Sequence, residues 1–527
     1  VPVKEFALTP PAGDARESRD GMVRAVGAIG LATLLSRVLG YVRDMVVAHV
    51  FGAGPVTDAF FVAFRIPNLF RRLLAEGALS SALIPVFTGY LARGGGQAFN
   101  RMARAVLGAG TGSLVLVSAA GVAAAPWIVA VLTPGWTADR ELLDLAVRLT
   151  RIMFPYLLLV GLAALATGVL NAHHRFVAAA AGPAVLNVGI IAGVLLLAGR
   201  LDPPVLSLAV GVLAGGLGQL LVQLPGVRRL GVPLAPSAEW CHPAVREIGL
   251  RLVPAVFGLA AVQVAVLVNT LLASLLPGGT VSYLYYADRI MEFPLGVFGI
   301  AVATAVLPTM SAQAARGESA ALVGTVGFSL RLSAFVTVPA AAGLLALGEP
   351  IVRLLFLRGR FGDAEAAATA QALLGYAVGL PAFAATRLLA QAFYALGDPR
   401  RPVLVGLGGV ALNVVLAVLL MRPLAHAGLA LASSLTAYAN LAVLAWLLRR
   451  RLGRLEGRAT AVCLVRVLAA STVVAAACAW AAPVAPRSLG EGAHTLAVVA
   501  GGAALYLGLA ALLRAPELRQ LRALGRR

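Results

Sequence analysis

Of 527 residues, 60% are hydrophobic and only 13% are charged, and mean hydropathy is +0.89. Soluble domains run at roughly half apolar and a quarter charged, so the balance excludes a water-soluble chain and points to an integral membrane protein. A net charge of +20 would suit a nucleic-acid partner only on a soluble, base-reading domain; no such domain is present, and with Lys4 the sole lysine the charge is almost all arginine.

The opening VPVKEFALTPPAGDARESRD is polar and contains proline, so residues 1–25 read as a cytoplasmic tail and not as a cleaved secretory signal. From there, apolar stretches of 18 or more residues recur. A helix rising about 1.5 Å per residue needs that length to cross about 30 Å of hydrocarbon. Alternating barrel strands are not seen, so the expected class is all-α integral membrane. Polar breaks divide the chain into about fourteen transmembrane helices, near 26–50, 58–91, 105–133, 143–170, 176–199, 205–226, 249–275, 281–312, 326–348, 366–396, 402–421, 425–448, 462–482 and 493–513. The segments 58–91 and 281–312 exceed a straight crossing, and Pro67 and Pro294 are the expected places for a break.

Arginine sets the orientation. With the N-terminus inside, the cytoplasmic connections carry Arg93, Arg101, Arg104, Arg175, Arg228, Arg229, Arg246, Arg316, Arg400, Arg401, the cluster Arg449 to Arg451, Arg454, Arg458 and the terminal Arg522, Arg526 and Arg527. The outside connections are nearly bare apart from LRGRFGD, Leu357 to Asp363. Both termini are therefore expected in the cytoplasm.

The chain also repeats itself. AFRI at Ala63 followed by LIP at Leu83 is echoed by ADRI at Ala287 and VLP at Val306; LNAHHRF before PAVLNV is echoed by LGDPRRP before GVALNV. Both echoes fall about 220 to 226 residues apart, one unit of six helices. Six is even, so the halves share one topology and are expected as two six-helix lobes, 26–230 and 231–455, related by a pseudo-two-fold along the membrane normal. Two C-terminal helices, 456–515, lie outside the repeat, and 516–527 form a basic cytoplasmic tail. Facing bundles of this kind leave a cavity suited to transport.

A charge at the centre of a bilayer costs about 2.5–3.5 kcal/mol on insertion scales, so intramembrane arginines face protein, water or a counter-ion. The first helix carries Arg37 and Arg43 with Asp44. Arg37 and Asp44, seven apart, lie on roughly one stripe, with Arg43 off to its side; Asp44 can neutralise one arginine but hardly both. The second segment, from Asp58, places Arg65, Arg72 and Glu76 on a stripe where Glu76 can pair with Arg72, and leaves Arg71 on a neighbouring face without a local partner. In the second half, Asp288, Arg289 and Glu292 fall within one turn. Cations outnumber the local carboxylates, and planar guanidinium groups suit phosphate oxygens. Arg37, Arg43, Arg71 and Arg289 are therefore the candidate substrate-binding residues, while Arg65 reads as a snorkelling or ion-paired charge.

His173, His174 and His49 read as solvated, and Asn187 with its repeat mate Asn413 as interhelical hydrogen-bonding residues. GAGTG at Gly108 says only that helices approach closely. Cys241, Cys463 and Cys478 read as reduced and structural, with no metal site expected. There is no P-loop lysine, HExxH or GxSxG, so a transporter is expected and not an enzyme, with no cofactor.

The block SRVLGYVRDMVVAHVFGAGPVTDAFFVAFRIPNLFRRLLAEGALSSALIP, with YYADRIMEFPLGVFGIAVATAVLP, LNAHHRF, LFLRGRF and ALGDPR, closely resembles the MurJ (MviN) family of bacterial lipid II flippases. The resemblance implies membership of the multidrug/oligosaccharidyl-lipid/polysaccharide exporter superfamily, with two lobes around a cationic cavity and a lipid-tail groove on the last two helices. It implies movement of undecaprenyl-diphosphate-linked disaccharide-pentapeptide across the bacterial plasma membrane for peptidoglycan synthesis. Family cavity arginines fall on Arg37, Arg43, Arg71 and Arg289, and acidic partners on Asp44, Asp58, Glu76 and Glu292; Arg72 and Asp288 complete the supporting or gating charges. His49 stands where some members carry a basic residue. A sodium site of some members does not transfer directly, because the seventh segment offers Gln263 and Asn269 but no carboxylate. The expected partners are lipid II, membrane lipids and cell-wall synthesis proteins, with coupling to the membrane potential or a monovalent cation. Rival readings are an exporter of another lipid-linked oligosaccharide, a drug/cation antiporter of the same superfamily, and a non-transporting cell-wall scaffold. A cation antiporter should show unpaired carboxylates rather than surplus arginine.

Overall fold

The computed structural model describes residues 12–73, 79–296, 301–484, 490–513 and 515–518, and the regular structure among them is helical. In chain order the helices are α1 (Ala12–Phe51), α2 (Pro55–Leu73), α3 (Leu79–Leu132), α4 (Arg140–Met153), α5 (Tyr156–Ala172), α6 (Val177–Leu197), α7 (Leu206–Arg229) and α8 (Pro243–Ser274). They continue with α9 (Thr280–Pro294), α10 (Ala301–Ala315), α11 (Ser319–Phe356), α12 (Asp363–Ala395), α13 (Arg400–Leu452), α14 (Gly457–Ala481) and α15 (Glu491–Leu512). Among the described residues, nine helical stretches are long and apolar enough to cross a membrane. The expectation on Glu76 lies outside the described residues.

Breaks follow local chemistry in most places. Gly52, at φ 71°, ends α1, and the carbonyl of Arg360 sits where a Cβ would be. Gly95, at φ 64°, divides α3 where the second expected span gives way to the third. At Pro294, where a break was expected, the α-helix passes into a π-type turn at 295–296, and residues 297–300 lie outside the described residues. The break expected at Pro67 is not found, because α2 continues through this proline to Leu73. Neighbouring helices and local adjustment of the backbone allow a membrane helix to carry proline in its interior.

Helix α13, at 53 residues, is too long for a single crossing, and Ala425 (φ 47°, ψ −128°) lies outside helical geometry in its middle. There the chain turns back. Gly428 lies against the Leu420 carbonyl, Asn413 Nδ2 donates to Ser433 Oγ at 3.4 Å, and Gly409 faces the Asn440 amide. These pairs run in opposite directions from the turn, so α13 is an antiparallel hairpin whose arms correspond to the expected spans 402–421 and 425–448.

The chain divides into two compact units. One comprises 1–47, 63–126 and 147–257; the other comprises 48–62, 127–146 and 258–527. In the first, α7 packs against α5 and α6, and a core of Leu83, Phe87, Phe99, Met102 and Leu170 is fully buried. Gly189 and Gly193 of α6 meet Gly215 and Gly211 of α7, so the two backbones touch. A Cβ at Gly193 would stand 2.7 Å from the Gly211 Cα and 2.8 Å from the Ser207 carbonyl oxygen. Gly193→Leu is expected to force these helices apart at a cost of about 1–3 kcal/mol or more, read as a lower Tm of the detergent-solubilised protein.

In the second unit α12 packs against α9, α10, α11 and α13, while α14 and α15 pack on α11. Met310, Leu389, Phe393 and Leu448 form one buried cluster, and Phe335, Val467, Val474 and Tyr506 another. Tyr506 donates its hydroxyl to the Phe335 carbonyl at 2.7 Å, which ties α15 to α11.

Candidate functional site

On α1, Arg43 sits at the centre of a buried polar cluster in the first unit. Its Nε and Nη2 both reach Asp44 Oδ1, at 2.9 and 2.6 Å, and Nη1 donates to Asn187 Oδ1 of α6 at 3.1 Å. Asn187 Nδ2 in turn donates to the Ser36 carbonyl at 3.1 Å. The Arg43 and Asp44 side chains are 11% and 1% exposed. Spacing put Arg37 and Asp44 on roughly one stripe and let Asp44 neutralise one arginine but hardly both; the arginine it binds is its immediate neighbour Arg43, whose long stem curls back across one residue of helix. Arg37 is half-buried on the same helix and makes no hydrogen bond or ion pair among the described residues. Asn187, expected to form interhelical hydrogen bonds, does so between α6 and α1, and through them orients the guanidinium. The signal was its recurrence as Asn413 in the second half of the chain.

Helix α2 carries Arg71, half-buried, whose Nε donates to Asn68 Oδ1 at 2.9 Å one turn earlier. This contact orients the group and adds no charge, and it supplies the local partner that spacing alone did not reveal. Arg72 is exposed and Arg65 half-buried.

Asp58 has a different role from the other charges. It is 2% exposed and belongs to the second unit, where its carboxylate accepts the Gly279 N–H at 2.7 Å, the Ser282 N–H at 2.8 Å and the Ser282 hydroxyl at 2.5 Å. Those backbone groups are the unsatisfied donors at the start of α9. The carboxylate therefore caps a helix 221 residues away in sequence and complements its dipole. The surroundings are close-packed: Phe61 stacks on Tyr285 with ring centroids 3.9 Å apart, and Tyr286 is wrapped by Phe356 and Phe361. The LRGRFGD segment folds onto the end of α1, with the Arg360 N–H donating to the His49 carbonyl at 2.9 Å.

The helix so capped, α9, carries Asp288, Arg289 and Glu292. Arg289 Nη1 donates to Glu292 Oε2 at 3.1 Å, a pair one turn apart with both side chains partly exposed. Asp288 is half-buried on the same helix.

A further polar cluster lies in the second unit. Asn269 of α8 and Asn413 of α13 both donate through Nδ2 to Ser433 Oγ, at 3.3 and 3.4 Å, and the Oδ1 atom of each is buried without a hydrogen-bond partner. The Ser433 hydroxyl accepts from both amides and donates to the Leu429 carbonyl at 3.1 Å, so the hard donors left over here are the two amide oxygens. Among the described residues no group of three or more His, Cys, Asp or Glu is placed to hold a metal ion.

Comparison with known proteins extends this picture. The family model described as lipid II flippase MurJ matches residues 47–499. The "Probable lipid II flippase MurJ" of Vibrio cholerae is 38% identical over 426 residues, 79% of this chain and 81% of that protein. The "Lipid II flippase MurJ" of Burkholderia cenocepacia is 37% identical over 434 residues, 82% of this chain and 84% of that one. Among solved structures, a lipid II flippase MurJ in an inward closed conformation aligns with a TM-score of 0.78 at 22% identity, covering 92% of this chain and 98% of that one. An inward-facing multidrug resistance MATE family transporter of the MOP superfamily aligns with a TM-score of 0.65 at 13% identity, over 82% and 99% of the two chains. Many apolar spans, arginines set into the first two helices, and a family match over most of the length lead to one assignment: the chain belongs to the MurJ family of lipid II flippases, transporters of the bacterial inner membrane.

Proposed function

We propose that this protein moves lipid II from the cytoplasmic to the outer leaflet of the inner membrane by alternating access, with the diphosphate held by Arg37, Arg43, Arg71 and Arg289. The observation that carries the cargo is the family match over residues 47–499, together with relatives 37–38% identical over about four-fifths of the chain. The chemistry agrees: guanidinium groups bind phosphate oxygens through paired hydrogen bonds, and a water-excluded setting strengthens them. Arg43, held by Asp44 and Asn187, is oriented before substrate arrives, which lowers the ordering cost of binding.

In this reading lobes 26–230 and 231–455 rock against each other, both termini are cytoplasmic, and the polyprenyl tail stays in lipid along a groove on α14 and α15. Asp44, Glu76, Asp288 and Glu292 balance the arginine charge when substrate is absent, and Arg72 adds to the charge they meet. Movement of a cation-rich site couples to the membrane potential, worth about 2.3 kcal/mol per charge per 100 mV. A monovalent cation would be held by the amide oxygens of Asn269 and Asn413 and would add positive charge to that buried site. Cell-wall synthesis proteins are the further partners of a flippase that supplies them.

Two experiments test the reading. Depletion of the protein in its host should accumulate lipid-linked peptidoglycan precursor in the inner leaflet; unchanged leaflet distribution refutes it. Arg71→Ala, at normal membrane abundance, should slow translocation of labelled lipid II by about tenfold or more, the scale of one lost charge-assisted contact.

A further inference from the structure

The first unit contains an apolar slot of about 320 Å³, half open to the outside, set among α2, α3, α5 and the start of α8. Phe70, Leu83, Leu114, Leu165, Ile248 and Gly249 are among its walls, and Ser113 is the only lining residue with a polar side chain. Its floor is tight. A Cβ on Gly110 would meet Leu165 Cδ1 at 2.8 Å, and Gly161 lies directly against Leu114, so α3 and α5 close the bottom. Its mouth is not: nothing lies within 4 Å of a Cβ added at Gly249. Around that mouth Val117, Leu250 and Val253 are 40%, 67% and 55% exposed, the surface of a membrane protein that meets lipid chains.

Charge identifies the kind of lipid. Within one turn of the lining residues Phe70 and Val245 to Leu252, the described charged residues are Arg71, Arg72, Arg246 and Arg251 against Glu247, and Glu247 is engaged with Arg251 at 2.7 Å. The segments that line the slot thus carry more cations than carboxylates, which favours an anionic head on a chain that enters it. Phe70 is joined directly to Arg71, their Cα atoms about 3.8 Å apart. The slot thus begins at the residue next to a proposed diphosphate ligand. Its volume is about twice that of a cavity known to hold benzene, room for about ten carbon atoms, and falls at the lower end of the range for ligand pockets.

From this arrangement we infer that the slot takes the first two or so isoprene units of the polyprenyl chain of the diphosphate-linked substrate, as a tail-binding site separate from α14 and α15. The inference rests on the lipid II reading given above, and it predicts that recognition extends from the diphosphate into the chain.

The test uses the full-length protein in vesicles of phosphatidylethanolamine and phosphatidylglycerol with an undecaprenyl diphosphate probe bearing a diazirine in its second isoprene unit. After irradiation the label should map to Ser113–Val117 and Val245–Leu252. Gly249→Trp and Ser113→Trp each place a large ring at a lining position, and nothing lies within 4 Å of a Cβ added at Gly249, so the first need not displace backbone. Each should lower the label there by at least about tenfold, since a tenfold loss equals about 1.4 kcal/mol, less than burying two methylenes. Labelling unchanged in both variants, labelling confined to α14 and α15, or labelling abolished as readily by excess phosphatidylglycerol as by unlabelled undecaprenyl phosphate would overturn the assignment. Lipid II translocation measured in the same vesicles separates the two ideas: a wild-type protein that does not translocate defeats the functional reading, whereas one that translocates while its label bypasses the slot defeats this inference alone.

Discussion

Arg43→Ala is expected to abolish lipid II translocation and to destabilise the protein, and adding Asp44→Asn is expected to restore stability without restoring transport. Asp44 is 1% exposed and accepts two hydrogen bonds from Arg43. Removing the cation leaves a carboxylate buried beside an empty space, and breaking a buried pair from one side costs about 3–5 kcal/mol. Neutralising Asp44 removes most of that penalty but returns no guanidinium to the substrate. Thermal unfolding in detergent reads the first effect and proteoliposome translocation the second. Translocation regained by the double variant would make Arg43 a packing residue and remove it from the binding set. Asn187→Leu should fall between these cases: the guanidinium remains, but the Asn187 contacts that set its direction and hold α6 to the Ser36 carbonyl are lost.

The second large effect is expected at Asp58. Asp58→Ala leaves the Gly279 and Ser282 N–H groups without their acceptor in a buried setting, and each such orphan costs about 1–3 kcal/mol. A loss of about 2–5 kcal/mol follows, well beyond that of an ordinary exposed helix cap. Ser282→Ala removes only the hydroxyl contact and should cost about 1 kcal/mol, with Asp58→Asn intermediate, since one carbonyl oxygen survives. The order of Tm values should therefore be wild type, Ser282→Ala, Asp58→Asn, Asp58→Ala. Equal Tm for wild type and Asp58→Ala would show that the cap on α9 contributes nothing. Because α9 carries Arg289 and Glu292, loosening its start should also lower translocation, even though Asp58 has no assigned contact with substrate.

Both residues show where sequence reasoning reached its limit. Asp58 stood out as a charge at the head of an apolar segment and, through the resemblance, as an acidic partner; nothing near it hinted at a partner beyond position 270. Arg43 was singled out as a charge needing an inward face, and helical spacing left open which arginine Asp44 would neutralise. Spacing along one helix describes where side chains leave the backbone and not how a long arginine bends afterwards. The hairpin in α13 was legible in outline, as two spans either side of residue 425, whereas its pairing through Ser433, Asn413 and Asn440 was not. GAGTG promised only close approach; in the folded chain its glycines meet three different partners, the Ser237 carbonyl, Leu165 and the Trp240 ring.

What the amino-acid order determined alone was the helical membrane class, the internal echo, the placing of arginine in apolar helices and the family, since each depends on composition or pattern within a short window of chain. Which groups bond to which was settled by tertiary structure. Asp58 finds α9, Asn187 steers Arg43, and residues 70 to 252 enclose an apolar slot. Such contacts join helices distant in sequence, and hydrogen bonds of about 3 Å depend on packing that no local periodicity encodes.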